Sequence, residues 1–269
     1  MEIQDRTVSS DTVMLKTLLQ PFRWLYCLYA LILFITGMML ALPFVAYFAL
    51  QGPGKGGDRI YRVCRWWDTA WLTLIGMRRV LIYESTPDPS RSYIFVSNHI
   101  SYLDIPMILR AVTRDSLRVL GKAEMAKYPV FGYIYSRAVV MVDRASMKDR
   151  SRSVRDLKTA IARGLSVFIF PEGTFNEKGK VLKDFYEGAF RIAIETQTPI
   201  QPILFLDTYD RMHYSSFFSL TPGRMRAVFL PAAEVAGLVT ADVGALKERV
   251  YRQMEEGLLR YGVNWVKDR

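Results

Sequence analysis

The chain has 269 residues, 51% hydrophobic and 23% charged, a balance that excludes a disordered chain and fits one core plus an accessory segment. Its 36 Lys and Arg against 26 Asp and Glu leave a formal charge of +10, which points to an anionic partner: membrane surface, nucleic acid or phosphorylated substrate. Two cysteines, Cys27 and Cys64, exclude a disulfide framework and a cysteine-built zinc site, and two histidines, His99 and His213, leave few candidates for a neutral-pH base.

The first element is apolar. Trp24 to Leu50 carries no charged residue, and its 27 positions exceed the roughly 20 needed to cross a bilayer. Gly37 and Pro43 interrupt it, so a kinked span or one arm of a half-inserted hairpin is expected. The run is too long for a signal peptide, and soluble core helices rarely lack a polar face over this length. Gln51-Gly-Pro-Gly-Lys-Gly-Gly-Asp58 lacks the spacing of a phosphate loop and reads as a flexible turn. A second apolar stretch, Trp66 to Met77, is bracketed by Arg59, Arg62, Arg65, Arg78 and Arg79, and its tryptophans suit a membrane interface. Basic residues flank the first segment on both sides, so the positive-inside rule gives no orientation for a single span. A two-helix hairpin dipping into one leaflet fits that symmetry.

From Val80 the pattern changes to short β-rich runs separated by helical stretches. Val80–Tyr83, Tyr93–Val96, Arg118–Leu120, Val139–Val142, Ser166–Phe170, Ile200–Leu206 and Arg226–Leu230 read as strands. Ile105–Ala111, Lys148–Arg163 and Glu187–Thr196 read as helices, and Val243–Leu258 places Val243, Leu246, Val250, Met254 and Leu258 on one stripe. The expected fold is therefore α/β: a largely parallel central sheet flanked by helices, preceded by an N-terminal membrane-embedded helical segment or two-helix hairpin. The expected division is residues 1–79 as membrane-anchoring helices and 80–269 as the α/β domain.

Ser97-Asn98-His99-Ile100-Ser101-Tyr102-Leu103-Asp104 directly follows an apolar strand, which puts His99 at the edge of an open α/β sheet where ligands bind. Asp104, five positions on, can fold back to one imidazole nitrogen, fix the tautomer and leave the other nitrogen as a general base. A plainer reading makes Ser101-x-x-Asp104 a helix capping box before Pro106; the two readings are compatible, because a carboxylate has two oxygens. Phe168-Ile169-Phe170-Pro171-Glu172-Gly173-Thr174 is a second strand end followed by an acid, a glycine and a hydroxyl, and its plain reading is a polar turn. His213 has no motif around it and reads as structural. Ser146 to Arg163 is strongly basic; it suits anionic lipid, an acidic acyl carrier protein, or simply a solvated helix face.

Together, His99-x4-Asp104 with Asn98, then Phe170-Pro171-Glu172-Gly173-Thr174 some 70 residues later, resemble the glycerolipid acyltransferase family, which includes the bacterial 1-acylglycerol-3-phosphate acyltransferases. Lys122-Ala-Glu124-Met125 with Pro129 and Gly132, ending in Val142-Asp143-Arg144, resembles that family's second motif, and Thr198-Pro199-Ile200-Gln201-Pro202-Ile203 its fourth. The resemblance covers about residues 80–210 in the right order. It implies His99 as base and Asp104 as its orienting group, Glu172, Gly173 and Thr174 in the acceptor site, and Lys122 and Arg144 on the acceptor's phosphate. It also implies an acyl-CoA or acyl carrier protein donor, a lysophosphatidic acid or other lysolipid acceptor, no metal or resident cofactor, no nucleic-acid partner, and a place on the cytoplasmic face of the inner membrane. Backbone N–H groups near Gly173 are candidates for the oxyanion donors.

One departure stands out: the family's third motif continues with Arg-Ser, and here those positions are Phe175 and Asn176. Losing one charge-assisted contact costs roughly 1.5–3 kcal/mol, so a lyso-amino-acid lipid or another lysolipid is the alternative acceptor. Lys178, Lys180 or Lys183 could substitute as point charges. An acyl-thioester hydrolase is the alternative from another class, although no Gly-x-Ser-x-Gly elbow is present.

Overall fold

The computed structural model describes residues 10–113, 117–143 and 146–266, with side chains from residue 19 onward except Pro53. In chain order the elements are α1 (Ser10–Ala49), α2 (Gly57–Leu74), β1 (Met77–Tyr83), β2 (Ile94–Ser97), α3 (Asp104–Ala111), β3 (Leu117–Lys122), α4 (Phe131–Ala138), β4 (Val139–Val142), α5 (Met147–Ala162), β5 (Ser166–Ile169), α6 (Gly188–Thr196), β6 (Ile200–Phe205), α7 (Thr208–Arg211), β7 (Gly223–Phe229) and α8 (Val243–Arg260). All seven β-rich runs form strands, in the spatial order β1-β7-β6-β2-β5-β3-β4. From β6 to β4 the strands are parallel. The β6–β7 pair is antiparallel, and β1 runs parallel to β7.

Alternation along the strands sends side chains to two cores, as a sheet covered on both faces requires. Ile94, Val96, Val167, Ile169 and Leu204 pack with α5, α6 and α8. Phe95, Phe168, Phe170 and Phe205 pack on the opposite face with residues of α1, α2 and α3. The α8 stripe is buried as its spacing requires, with Val243, Leu246, Val250, Met254 and Leu258 all in the core.

The helix α1 passes through Pro21, Gly37 and Pro43 without a break. Its Leu19–Ala49 portion is, among the described residues, the one helix long and apolar enough to cross a membrane by length and composition, with 17% of its apolar window buried. At 1.5 Å per residue it spans roughly 46 Å, more than the ~30 Å of a hydrocarbon core. Only a strip of mostly small residues, Cys27, Ala30, Ala41 and Val45, is buried, while Leu25, Leu28, Ile32, Leu40 and Phe44 are exposed. The strip receives α2 antiparallel: Trp71 Nε1 donates to the Ala30 carbonyl at 2.8 Å and the Tyr26 hydroxyl to that of Ile75 at 2.6 Å. Glycine at 37 allows this approach, since a Cβ there would lie 2.5 Å from the Trp67 ring.

Three details differ from the sequence reading. The glycine-rich connector is not an open turn: Gly52–Gly56 form one π-helical turn that leads straight into α2. The second helix also differs in extent. It starts nine residues before Trp66 and docks on the α/β domain, where Asp58 pairs with Arg118 at 3.0 Å, Arg65 donates to the Thr113 carbonyl at 2.6 Å, and Asp68 pairs with Arg79 of β1. Asp58 and Asp68 are thus neutralised at the interface with that domain. Finally, α4 has no counterpart among the expected helices, because two turns with Gly132 and Ile134 as their buried residues display no apolar period.

Candidate active site

The parallel strands β6, β2, β5, β3 and β4 carry their C-terminal ends to one edge of the sheet, and the candidate residues emerge there. The Asn98 side chain prolongs the β2–β6 ladder by one step: Nδ2 donates to the Phe205 carbonyl at 2.9 Å and the Phe205 N–H donates to Oδ1 at 2.8 Å. A side chain thus replaces main-chain pairing, and the backbone is free to turn out of the sheet at His99. The imidazole stacks on Phe170, centroids 3.9 Å apart and planes within 13°, and leans on Phe175 at 4.3 Å.

His99 Nδ1 lies 2.9 Å from Asp104 Oδ2. Asp104 has no exposed surface, and the same oxygen accepts the N–H groups of Ile100 at 2.7 Å and Ser101 at 2.9 Å. The acid half of the expected capping box is therefore present, and one oxygen performs both jobs anticipated for two. The hydroxyl half is absent: Ser101 Oγ donates to the Met212 carbonyl at 2.6 Å and accepts from Leu103 N–H. Asp104 Oδ1 accepts the Thr208 hydroxyl at 2.6 Å, a partner 104 residues away that no local motif announces. With Nδ1 directed at a carboxylate, Nε2 is the available nitrogen. It has no protein hydrogen bond among the described residues and is not sealed from solvent.

Glu172 is fully buried, and its oxygens are divided between two loops: Oε1 accepts the His99 N–H at 2.8 Å and Oε2 the Lys183 N–H at 3.0 Å. Both oxygens face protein, so Glu172 ties the His99 loop to the 177–187 segment rather than facing an open acceptor site. Burial pushes its carboxyl up to about 8, outweighing the two N–H donors that favour the ionised form. A carboxyl raised above its ordinary 4.5 binds more protons folded than unfolded between those values. Its contribution to stability is therefore greatest at low pH and is lost as pH rises towards about 8. Urea denaturation across pH 5–8 checks this: the Glu172→Gln variant should show a shallower decline in stability with rising pH than the wild type.

Gly173 takes φ = 75°, the left-handed region that glycine enters without strain, and its N–H closes a turn on the Phe170 carbonyl at 3.1 Å. The Thr174 N–H donates to the Glu172 carbonyl at 2.9 Å. These two N–H groups, among the candidates for oxyanion donors near Gly173, are thus engaged within the turn. Asn176, in place of the family's serine, is buried and joins the loops: its N–H donates to the His99 carbonyl at 2.9 Å and its Nδ2 to the Lys180 carbonyl at 2.8 Å. Phe175, in place of arginine, sits edge-on to Tyr102 at 4.8 Å and stacks towards Tyr214 at 6.2 Å. His213 bonds to Ser215 and lies against Tyr209 and Tyr214, within the loop that packs beside Phe175.

Lys122 ends β3, which is separated from β2 by β5, so its backbone lies roughly 10 Å from the His99 strand at ~4.8 Å per strand. It stands on the same edge as the dyad without touching it. Arg144 lies outside the described residues. The structure also shows participants that sequence reasoning did not single out: Phe170 under the imidazole, Thr208 on Asp104 and Phe205 on Asn98. Their pairing spans 71, 104 and 107 residues, and no local pattern carries it.

Residues 79–206 match the family described as Acyltransferase. The chain is 28% identical over 200 residues to human 1-acyl-sn-glycerol-3-phosphate acyltransferase beta, covering 72% of this chain and 69% of that protein. It is 30% identical over 174 residues to the alpha protein of Ovis aries, covering 62% of this chain. The chain spans 58% of the length of that alpha protein. The crystal structure of the 1-acyl-sn-glycerophosphate acyltransferase PlsC from Thermotoga maritima superposes with a TM-score of 0.69 at 22% identity, covering 91% of this chain and all of that one, which establishes the shared fold. The family match runs from β1 through β6 and takes in the dyad, the Glu172 turn and Lys183, so this stretch of the chain is similar to the acyltransferases.

Proposed function

We propose that the protein transfers a fatty acyl group from an acyl thioester to the hydroxyl of a lysolipid, 1-acylglycerol-3-phosphate, forming phosphatidic acid for phospholipid biosynthesis. The observation that carries this reading is the His99–Asp104 pair, 2.9 Å apart at the sheet edge, with Asp104 locked by three further donors. The mammalian relatives bear the name of this reaction.

An alcohol is a poor nucleophile near neutral pH. His99 Nε2 takes the hydroxyl proton as the oxygen attacks the thioester carbonyl, and Asp104 stabilises the imidazolium that forms. The new C–O bond forms, the C–S bond breaks, and the proton passes from His99 to the departing thiolate. That thiolate needs little assistance, since a thiol's pKa is about 8.5. Stacking on Phe170 and the tilted contact with Phe175 orient the imidazole, which favours reaction geometry.

In this reading residues 1–79 anchor the protein and residues 80–269 carry the chemistry. The exposed apolar side chains of α1 lie in lipid at the cytoplasmic face of the inner membrane, where acyl-CoA or acyl carrier protein delivers the chain. The basic residues of α5 lie on the face of the sheet opposite α1, which supports their use towards a soluble acidic donor rather than towards the same lipid surface. A second acceptor, a lyso-amino-acid lipid, is favoured by one observation: the apolar ring of Phe175 beside His99 where an arginine would face a phosphate.

Purified protein supplied with labelled acyl-CoA or acyl carrier protein and a panel of lysolipids should yield phosphatidic acid from lysophosphatidic acid, read by mass spectrometry. Acyl transfer to a lyso-amino-acid lipid alone would move the assignment to the second acceptor. Thioester loss independent of any lysolipid would make the protein a hydrolase.

A further inference from the structure

Several part-buried arginines in this fold meet carboxylates: Arg79 pairs with Asp68, Arg118 with Asp58 and Arg226 with Asp207. Lys183 does not. Its half-buried ammonium is hydrogen-bonded to Thr174 Oγ1, a neutral partner, and no carboxylate lies within ion-pair distance among the described residues. Glu172 accepts the Lys183 backbone N–H, not its ammonium. A positive charge held at the site with no ion pair in contact is available to receive an anion.

Its location is fixed relative to the dyad. One carboxylate, Glu172, holds the His99 N–H at 2.8 Å through one oxygen and the Lys183 N–H at 3.0 Å through the other. Segment 177–187 is thus clamped to the His99 loop, and the ammonium is carried back to Thr174 in the turn that follows β5. Because Thr174 Oγ1 accepts from the ammonium, its own proton is free to donate, so the pair offers an anion one charged and one neutral donor. The adjacent side chain, Phe175, turns its ring to His99, Tyr102 and Tyr214 and contributes no charge.

We infer that the Lys183 ammonium, with the Thr174 hydroxyl, binds the anionic head group of the acceptor and sets the preference for a phosphate monoester over an uncharged lysolipid. The inference deepens the acyltransferase reading and relies on it for the identity of the acceptor. Lys183 supplies from a neighbouring segment the positive charge that Phe175 does not.

The test is a binding measurement, independent of turnover. The full chain in detergent is titrated calorimetrically with lysophosphatidic acid and with 1-monoacylglycerol of the same chain length, as wild type, Lys183→Met and Lys183→Arg. Lys183→Met should weaken lysophosphatidic acid binding roughly 10- to 100-fold and leave 1-monoacylglycerol unchanged, and Lys183→Arg should retain most of the wild-type affinity. Adding Phe175→Arg to Lys183→Met should recover part of the loss, since a cation returns to the same turn. Inorganic phosphate should compete only weakly, which separates lipid head-group recognition from a free-phosphate site. Equal weakening for both lipids, or no change for either, overturns the inference, as does a wild type that binds the two equally. A wild type that binds lysophosphatidic acid through Lys183 yet transfers no acyl group to it would overturn the acyltransferase reading and leave this assignment standing.

Discussion

His99→Ala should lower acyl transfer to lysophosphatidic acid by at least about 10²- to 10⁴-fold, the range lost when a positioned general base is removed. The protein should stay folded and membrane-associated. The two main-chain bonds of residue 99, N–H to Glu172 and carbonyl from Asn176, do not need the imidazole, and α1 is untouched. Steady-state kinetics with both substrates saturating, alongside a membrane flotation assay, checks both halves of the expectation. Substantial residual turnover in a correctly folded variant would remove His99 as the base. A variant lost from the membrane would show instead that the ring holds the architecture together.

Asp104 should prove more damaging, because its carboxylate serves structure and chemistry through the same atoms. Alanine there leaves the buried N–H groups of Ile100 and Ser101 and the Thr208 hydroxyl without their acceptor. Orphaned buried donors together with the lost ion partner cost about 3–5 kcal/mol, a large share of a typical domain's stability. Asp104→Asn separates the two roles. Its amide oxygen can still accept the two N–H groups, so stability should fall by less than in the alanine variant. The negative charge that stabilises the imidazolium is gone, so kcat should fall by about 10²- to 10⁴-fold. Chemical denaturation and kcat measured on both variants decide the matter. An asparagine variant with wild-type kcat would reduce Asp104 to a structural cap.

These two residues were legible because their partnership is local. Five positions separate His99 from Asp104, one turn of chain can bring them together, and the strand before them supplies the edge. The seven strands were legible for a similar reason: short β-branched and aromatic runs bounded by turns, with α8 marked by its stripe of five buried side chains. Glu172 was also found in sequence, but the partners of its carboxylate were not. Which groups its two oxygens meet depends on β2 and β5 lying side by side, although Glu172 follows Ile94 by 78 positions in the chain. The same holds for α2, whose arginines and aspartates resemble interfacial flanks until Arg118 and Arg79 are seen across from them.

Sequence by itself determined the periodicities, the strand ends and the chemistry available within a few residues of each, because dihedral preference and apolar spacing act locally. Tertiary structure alone decided that Thr208 steadies Asp104, that Asn98 continues a ladder with Phe205, and that Glu172 meets the N–H of His99. Those pairings follow from a strand order that places β6 and β5 on either side of β2, and a crossover of that kind leaves no mark on the residues near it in the chain.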